Sequence, residues 1–150
     1  ETVIGAVRLL PATGPTLLTV LFPELAGQGL FRPHAAMIES SRFCVDTSVI
    51  SSPEASGQGQ ALHGATWTLF AAIIEWSMAN GYDELITATD LRIERILRRA
   101  GWPMVRVGKP KPIGNTIALA GTLAADIASF TRVAPPAYRS EFGAPTRAAA

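Results

Sequence analysis

The chemistry that this chain could perform is concentrated in a small group of charged side chains. Glu39 and Arg42 lie within four residues of each other in an otherwise apolar stretch, and Arg8 is embedded in an earlier apolar run. Burying any of these charges without a partner would cost several kcal/mol, so each is expected to have one. From composition alone two interpretations stay open: a structural ion-pair network, or an active site.

The elements that must position this cluster are predicted to be strands. Residues 3–10 are rich in β-branched and aliphatic side chains and end at Pro11, which indicates a strand that carries Arg8. The latter part of residues 35–46 indicates a central strand that carries the other two charges. A short buried strand, a further strand and an apolar run of undecided type are expected at residues 85–89, 104–107 and 115–123 respectively.

Helices are expected to alternate with these strands. Residues 61–80 carry apolar side chains at helical spacing, and Gly81 follows where a left-handed C-cap belongs. A second helix is expected to begin after Thr89 or Asp90 as its cap and to stop at Gly101. The remaining segments are expected to be a short helix or irregular connection at 16–30, a surface loop at 51–60, a stiff connection at 109–112 and a poorly packed, Pro/Ala-rich C-terminal tail at 135–150.

Composition narrows the class of protein. A chain of 150 residues with 48% hydrophobic and 17% charged residues fits one compact α/β domain, which we assign to residues 1–134. A formal net charge of +1 does not indicate a nucleic-acid partner. His63, Glu75 and Asp126 interrupt the apolar runs, so none reaches the roughly 18 residues that a membrane span needs.

The cysteine and histidine content argues against a metal centre. Cys44 is the only cysteine, which excludes an internal disulfide and fits a reducing cytoplasm. His34 and His63 lie far apart in the sequence, with no second ligand of the usual spacing beside either. We therefore expect no metal.

A resemblance bears on the choice between a structural network and an active site. Residues 39–46 read Glu-Ser-Ser-Arg-Phe-Cys-Val-Asp, and this run resembles the Glu-Ser-Ser-Arg-Phe signature of the LuxI-type acyl-homoserine lactone synthases, or autoinducer synthases. Matching blocks occur in family order: Gly-Ala-Val-Arg-Leu-Leu-Pro at 5–11, Thr-Gly-Pro at 13–15, Arg-Ile-Leu-Arg-Arg-Ala-Gly-Trp at 95–102 and Ile-Gly-Asn at 113–115.

The resemblance implies a fold. The family is similar to the GCN5-related N-acyltransferases, three-layer sandwiches whose mixed α/β sheet splays open to admit an acyl-pantetheine arm. Family members also carry an N-terminal region, ahead of the strand that corresponds to residues 2–10, with aromatic and aspartate residues that help to hold S-adenosylmethionine. No segment of this chain matches that region, so the pocket for the methionine side is expected to be incomplete in residues 1–150.

The resemblance also implies a reaction. The amine of S-adenosylmethionine attacks an acyl thioester, carried by an acyl-carrier protein or by coenzyme A, and lactone closure then releases methylthioadenosine. No cofactor beyond these substrates is implied. The product would be a quorum-sensing signal, and the enzyme would work in the cytoplasm.

Roles for individual residues follow from the same resemblance. Glu39 is the candidate general base, accepting the proton of the amine directly or through one water. Arg42 and Arg8 would orient that carboxylate and stabilise charge near the thioester, and a backbone N–H around Phe43 could serve the developing oxyanion. The residues expected to bind substrate, most of which would also pass as ordinary core, are Ser41, Phe43, Phe70, Ile73, Thr87, Leu97 and Trp102.

A row of arginines follows on the second predicted helix. Arg92, Arg95 and Arg99 share one face, with Arg98 beside them. Such a row is most often a solvated surface, but next to the pocket it could instead dock an acidic acyl-carrier protein.

Two other functions stay open at this stage. The first is a different acyl-CoA-dependent N-acyltransferase of the same fold, which is disfavoured because no Gly-rich pyrophosphate loop is found. The second is a non-enzymatic sensor or interaction domain that only binds a small ligand in the pocket.

Overall fold

A mixed six-stranded sheet forms the centre of the computed structural model, which describes residues 2–27, 29, 31–46, 48, 58–140 and 142. The strands are β1 (Gly5–Pro11), β2 (Met37–Val45), β3 (Glu84–Asp90), β4 (Val105–Arg106), β5 (Lys111–Ile113) and β6 (Thr116–Ala124). The helices are α1 (Leu17–Leu21), α2 (Gln58–Ala79), α3 (Leu91–Arg99) and α4 (Ile127–Val133), with a 3₁₀ turn at Pro23–Leu25.

The strand order is β1-β2-β3-β6-β4, with β5 also paired to β6. Only the β2–β3 pair is parallel; the other pairs are antiparallel. The predicted central position of the strand that carries Glu39 is therefore confirmed. The stiff connection predicted at 109–112 is wrong in part, because Lys111 to Ile113 form β5. Pro112 is tolerated there since β5 pairs on one side only, with β6.

The helices begin and end at residues suited to the purpose. The Asp90 side chain caps α3 by accepting a hydrogen bond of 2.8 Å from the backbone N–H of Ile93. Gly81 and Gly101, which follow α2 and α3, have φ angles of +81° and +80°. This confirms the left-handed cap predicted at Gly81 and shows the same conformation at Gly101, where the second helix was predicted to stop. The sequence analysis missed α4, which is only seven residues long and is capped by Asp126.

Apolar side chains cover both faces of the sheet and make a three-layer arrangement. On one face, α2, α3 and α4 pack over Ile38 and Leu85. On the other face, α1 and the 3₁₀ turn pack over Met37 and Ile86. Because neighbouring residues of a strand point to opposite faces, consecutive residues of β2 and of β3 serve different cores.

The described part of the C-terminal tail packs more closely than expected. The Tyr138 hydroxyl donates a hydrogen bond of 2.6 Å to the Glu75 carboxylate of α2, and its ring lies edge-on to Phe130 at 5.6 Å. The expectation of a poorly packed tail is thus wrong for this tyrosine. Residues 141 and 143–150, and 51–57 of the predicted surface loop, lie outside the described residues.

Candidate active site

The candidate site lies where two parallel strands part. β2 and β3 pair only from Met37↔Glu84 to Glu39↔Ile86, although β2 continues to Val45 and β3 to Asp90. A cavity of about 250 Å³ opens beyond the last pair, between the diverging strands and under α2 and α3. A separation of this kind exposes strand backbone to a ligand, which an intact sheet would not do.

Every residue that was predicted to bind substrate lines this cavity, and so does Arg42. The predicted residues are Ser41, Phe43, Phe70, Ile73, Thr87, Leu97 and Trp102. The sequence analysis missed Ser40, Ala88, Thr89, Ile93 and Leu123, which complete the lining. Ile93 could have been predicted, because it lies at helical spacing from Leu97. The other four lie on strands, and their place in the lining depends on the register of the sheet.

Aromatic rings form the apolar wall of the cavity. The Phe70 ring lies at the centre of this wall, 5.1 Å from the Phe43 ring and 5.7 Å from the Trp102 ring, measured between centroids. Trp102 is 2% exposed, and its indole N–H donates to the Ala124 carbonyl at 2.8 Å. Since the polar atom of this tryptophan is already bonded within the sheet, its ring offers only apolar surface to a ligand.

A bulge in β2 shapes the mouth of the cavity. Cys44 pairs with Ala6 and Ser41 with Arg8, so β2 has two residues where β1 has one. Arg42 takes the left-handed conformation, with φ +55°, and its side chain is exposed. The extra residue shifts the alternation of the strand, which brings Phe43 onto the same face as the cavity-lining Ser40. A non-glycine residue in this conformation is strained and is often found at functional sites.

Glu39 lies on the opposite face of the sheet from the aromatic wall. Its side chain is fully buried, and its two oxygens accept hydrogen bonds from the backbone N–H groups of Leu17 at 3.0 Å and Leu18 at 2.9 Å. These N–H groups belong to the first turn of α1 and have no partner within the helix. The carboxylate therefore anchors α1, and it is not among the residues that line the cavity.

Arg8 connects this buried carboxylate to the cavity. Its Nε donates a hydrogen bond of 3.0 Å to the Ser41 hydroxyl, which lines the cavity, and its Nη2 lies 4.0 Å from a Glu39 oxygen. Two of the three charges of the predicted cluster are thus brought together. Arg42 does not take part in this pair, since its side chain is exposed at the cavity mouth.

The arginines of α3 are all exposed, whereas Ile93 and Leu97 of the same helix line the cavity. The four arginines are Arg92, Arg95, Arg98 and Arg99. Between them, Glu94 is only 6% exposed and accepts two hydrogen bonds, of 2.6 and 2.7 Å, from Arg106 of β4. The bonded Arg106 guanidinium holds the pKa of the Glu94 carboxyl below its usual value. This bidentate pair ties α3 to the edge of the sheet.

Within the described ranges, no three His, Cys, Asp or Glu side chains lie close enough together to hold a metal ion. The His34 ring lies 2.8 Å from the Glu84 carboxylate at the surface. No helix among the described residues is long and apolar enough to cross a membrane.

Comparisons with known proteins agree with this architecture. An acyl-homoserine-lactone synthase of Agrobacterium fabrum is 62% identical over 138 residues, which are 92% of this chain and 64% of that protein. The crystal structure of the synthase LasI matches with a TM-score of 0.72 and 27% identity, over 87% of this chain and 62% of that chain. TofI, in a ternary complex with an inhibitor and MTA, matches with a TM-score of 0.69 and 28% identity, over 89% of this chain and 64% of that chain.

These comparisons decide the family. The chain spans somewhat less than two thirds of the length of these three proteins. The predicted mixed sheet, similar to that of the GCN5-related N-acyltransferases, is confirmed by the match to LasI. The sequence matches the autoinducer synthase family over residues 1–133. The chain therefore belongs to the autoinducer synthase family, as its Glu-Ser-Ser-Arg-Phe run predicted.

Proposed function

We propose that this chain forms the acyl-binding and acyl-transfer part of an acyl-homoserine lactone synthase. The observation that carries the proposal is the cavity between β2 and β3, which joins an apolar aromatic wall to a polar mouth made by the Glu-Ser-Ser-Arg-Phe run. The apolar wall suits an acyl chain, and the polar mouth suits a thioester that is being attacked. Family membership supports the amine of S-adenosylmethionine as the acceptor.

The proposed reaction has two bond exchanges. In the first, the amine nitrogen attacks the thioester carbonyl, the C–N bond forms, the C–S bond breaks and the carrier leaves as a thiol. In the second, a carboxylate oxygen of the methionine part attacks its γ-carbon, and the bond to the positively charged sulfur breaks. The products are the acyl-homoserine lactone and neutral methylthioadenosine. TofI, described with MTA, supports a methylthioadenosine site in this family.

Proton removal from the amine is assigned to Glu39 through one bridging water. Both carboxylate oxygens face the N–H groups of α1, so a substrate in the cavity cannot reach them directly. Each oxygen keeps a second lone pair that a water can use. Arg8 holds Ser41 beside that route through its 3.0 Å hydrogen bond.

Stabilisation of the transition state is assigned to the bulged segment. Negative charge develops on the thioester oxygen during attack, and donors aimed at that oxygen lower the barrier. Arg42, exposed at the mouth, would supply a guanidinium, and a backbone N–H around Phe43, another lining residue, would supply a neutral donor. Arg42 and Phe43 are the two residues of the β2 bulge, so the bulge determines the positions of both donors.

The acyl chain is assigned to the apolar part of the cavity and the donor to the surface of α3. Thr87 places a hydroxyl in the lining, where it can bond a 3-oxo or 3-hydroxy group. The exposed arginines of α3 lie on the helix that contributes Ile93 and Leu97 to the wall, where they would attract an acidic acyl-carrier protein or the phosphates of acyl-CoA. These substrates and the single cysteine fit a cytoplasmic enzyme that needs no further cofactor.

The test is an assay of the full-length protein with S-adenosylmethionine and an acyl-carrier or acyl-CoA donor, with products identified by mass spectrometry. We expect an acyl-homoserine lactone that forms only when both substrates are present. An acylated amine other than the lactone would instead show a different N-acyltransferase. Binding of both substrates without any product would show a sensor.

A further inference from the structure

The sheet leaves a gap at Gly121 that another side chain fills. Gly121 lies in β6, and a Cβ atom placed on it would come within 2.4 Å of Met104 Cγ and 2.8 Å of Met104 Sδ. It would also come within 2.7 Å of the Val105 carbonyl oxygen. These separations are shorter than real Cβ contacts, so the Met104 side chain occupies the space that any larger residue at 121 would need.

This occupied space lies beside the cavity. Gly121 pairs with Thr87 across the antiparallel β3–β6 ladder. Directly opposite residues of such a ladder point to the same face, with Cβ positions about 5 Å apart. Because Thr87 lines the cavity, a side chain at 121 would point to the cavity face, and Met104, which fills that position, lies on this face as well.

Met104 also packs against the walls that are already described. It is half-buried and belongs with the apolar cluster that includes Leu97, Trp102 and Leu123, each of which lines the cavity. Met104 is not itself one of the lining residues, so its side chain supports the lining from behind, on the β6 side. Gly121 is what allows it to lie flat against the sheet there.

We infer that Met104 is a specificity-determining residue that closes the β6 side of the acyl cavity and thereby limits acyl-chain length. The inference rests on the proposed function, since it assumes that an acyl chain occupies the cavity. The side chain of methionine has no branch and several rotatable bonds, so it fills an irregular gap and can be replaced by a few methylenes of a ligand. Shortening Met104 opens the cavity past Thr87, whereas an equal volume keeps it closed.

The experiment compares Met104→Ala with Met104→Leu in the full-length synthase. Each variant receives an equimolar mixture of saturated acyl thioesters of increasing chain length, and the ratio of lactone products is measured by mass spectrometry. Leucine conserves the volume of methionine and is the matched control. Because one buried methylene changes affinity about fourfold, we expect Met104→Ala to raise the ratio of longer to shorter products at least about fourfold. Met104→Leu should keep the wild-type ratio.

An unchanged ratio in an active Met104→Ala variant would overturn the inference, as would an equal loss of every product. If this variant fails to fold, as judged by its thermal unfolding, the same product ratio is measured for Met104→Val, which removes less of the side chain. Failure of the proposed function is distinguishable, because the wild-type enzyme would then make no lactone from any donor.

Discussion

The Glu39 carboxylate accepts a hydrogen bond of 2.9 Å from the backbone N–H of Leu18, so a buried charge of the central sheet holds the first turn of α1. Its other oxygen accepts from Leu17 at 3.0 Å. The same residue is the first of the Glu-Ser-Ser-Arg-Phe run, whose next four residues line the cavity. Glu39 therefore positions α1, and under the proposed function it also accepts the proton of the amine.

Glu39→Gln should therefore reduce both stability and activity. The amide nitrogen cannot accept from an N–H group, which leaves one buried donor unsatisfied at a cost of about 1–3 kcal/mol. Loss of the proton acceptor should lower kcat by about 10² to 10⁴-fold. Thermal unfolding and steady-state kinetics of the full-length enzyme measure the two effects separately.

Thr16→Ala is the matched control for this variant. The Thr16 hydroxyl caps α1 by accepting from the backbone N–H of Thr19 at 3.2 Å. Its removal should destabilise the protein by about 0.5–2 kcal/mol without touching Glu39. We expect this variant to keep most of its kcat. A comparable collapse of kcat in both variants would mean that Glu39 serves only to hold α1.

Substitution of Arg42 by glycine should lower activity while leaving the stability of the fold nearly unchanged. Arg42→Gly places glycine at φ +55°, which it adopts without strain, so the free energy of unfolding should stay within about 1 kcal/mol of wild type. Activity should fall at least about tenfold, since a charge-assisted hydrogen bond to the substrate is lost. Arg42→Lys should also lose activity because an ammonium cannot reproduce the planar guanidinium fork. Full activity of the glycine variant would remove Arg42 from the reaction.

Thr87 is expected to distinguish acyl chains by their substituent at the 3-position. Thr87→Val keeps the volume and removes the hydroxyl, and the lost hydrogen bond of about 1 kcal/mol should change the ratio of 3-substituted to unsubstituted lactones several-fold. Thr89→Val makes the same change at a second threonine of the cavity lining. Competition between the two classes of donor measures the ratio. An unchanged ratio in Thr87→Val would show that its hydroxyl does not recognise the substituent, and an equal shift in both variants would show that the effect is not specific to Thr87.

The arginines of α3 are expected to matter for a carrier-bound donor. Reversing Arg92 and Arg95 to Glu should raise the KM for acyl-carrier protein by about tenfold or more at low salt, with a smaller effect on acyl-CoA. The difference should shrink as salt screens the charges. Reversal of Arg32 and Arg139, also exposed, changes the net charge equally at other surfaces and is the control. Equal effects on both donors would contradict docking at α3.

Much of the fold was predictable because it depends on local patterns. The strand around Glu39, the helix that ends before Gly81 and the cap at Asp90 each follow from periodicity and from a residue suited to one conformation. β5 escaped prediction because two prolines in residues 109–112 look like a connection, and only pairing with β6 makes an edge strand of them.

Most of the cavity residues were predicted from the resemblance to the family, whereas their arrangement was not. Nothing local indicates that β2 and β3 stop pairing after Glu39↔Ile86, since the separation depends on how the whole sheet packs. The direction of Glu39 toward α1 likewise depends on a contact between residues 22 positions apart. The place of Met104 over Gly121 became visible only through the register of β4 and β6.

The most direct test of the proposed function follows the carbon atoms of S-adenosylmethionine. The full-length enzyme would receive S-adenosylmethionine labelled with carbon-13 in the four carbons of its aminobutyrate part, together with an unlabelled acyl donor. We predict that all of the label appears in the acyl-homoserine lactone, and that an equal amount of unlabelled methylthioadenosine is released. Labelled methylthioadenosine, or an acylated product without label, would contradict the account.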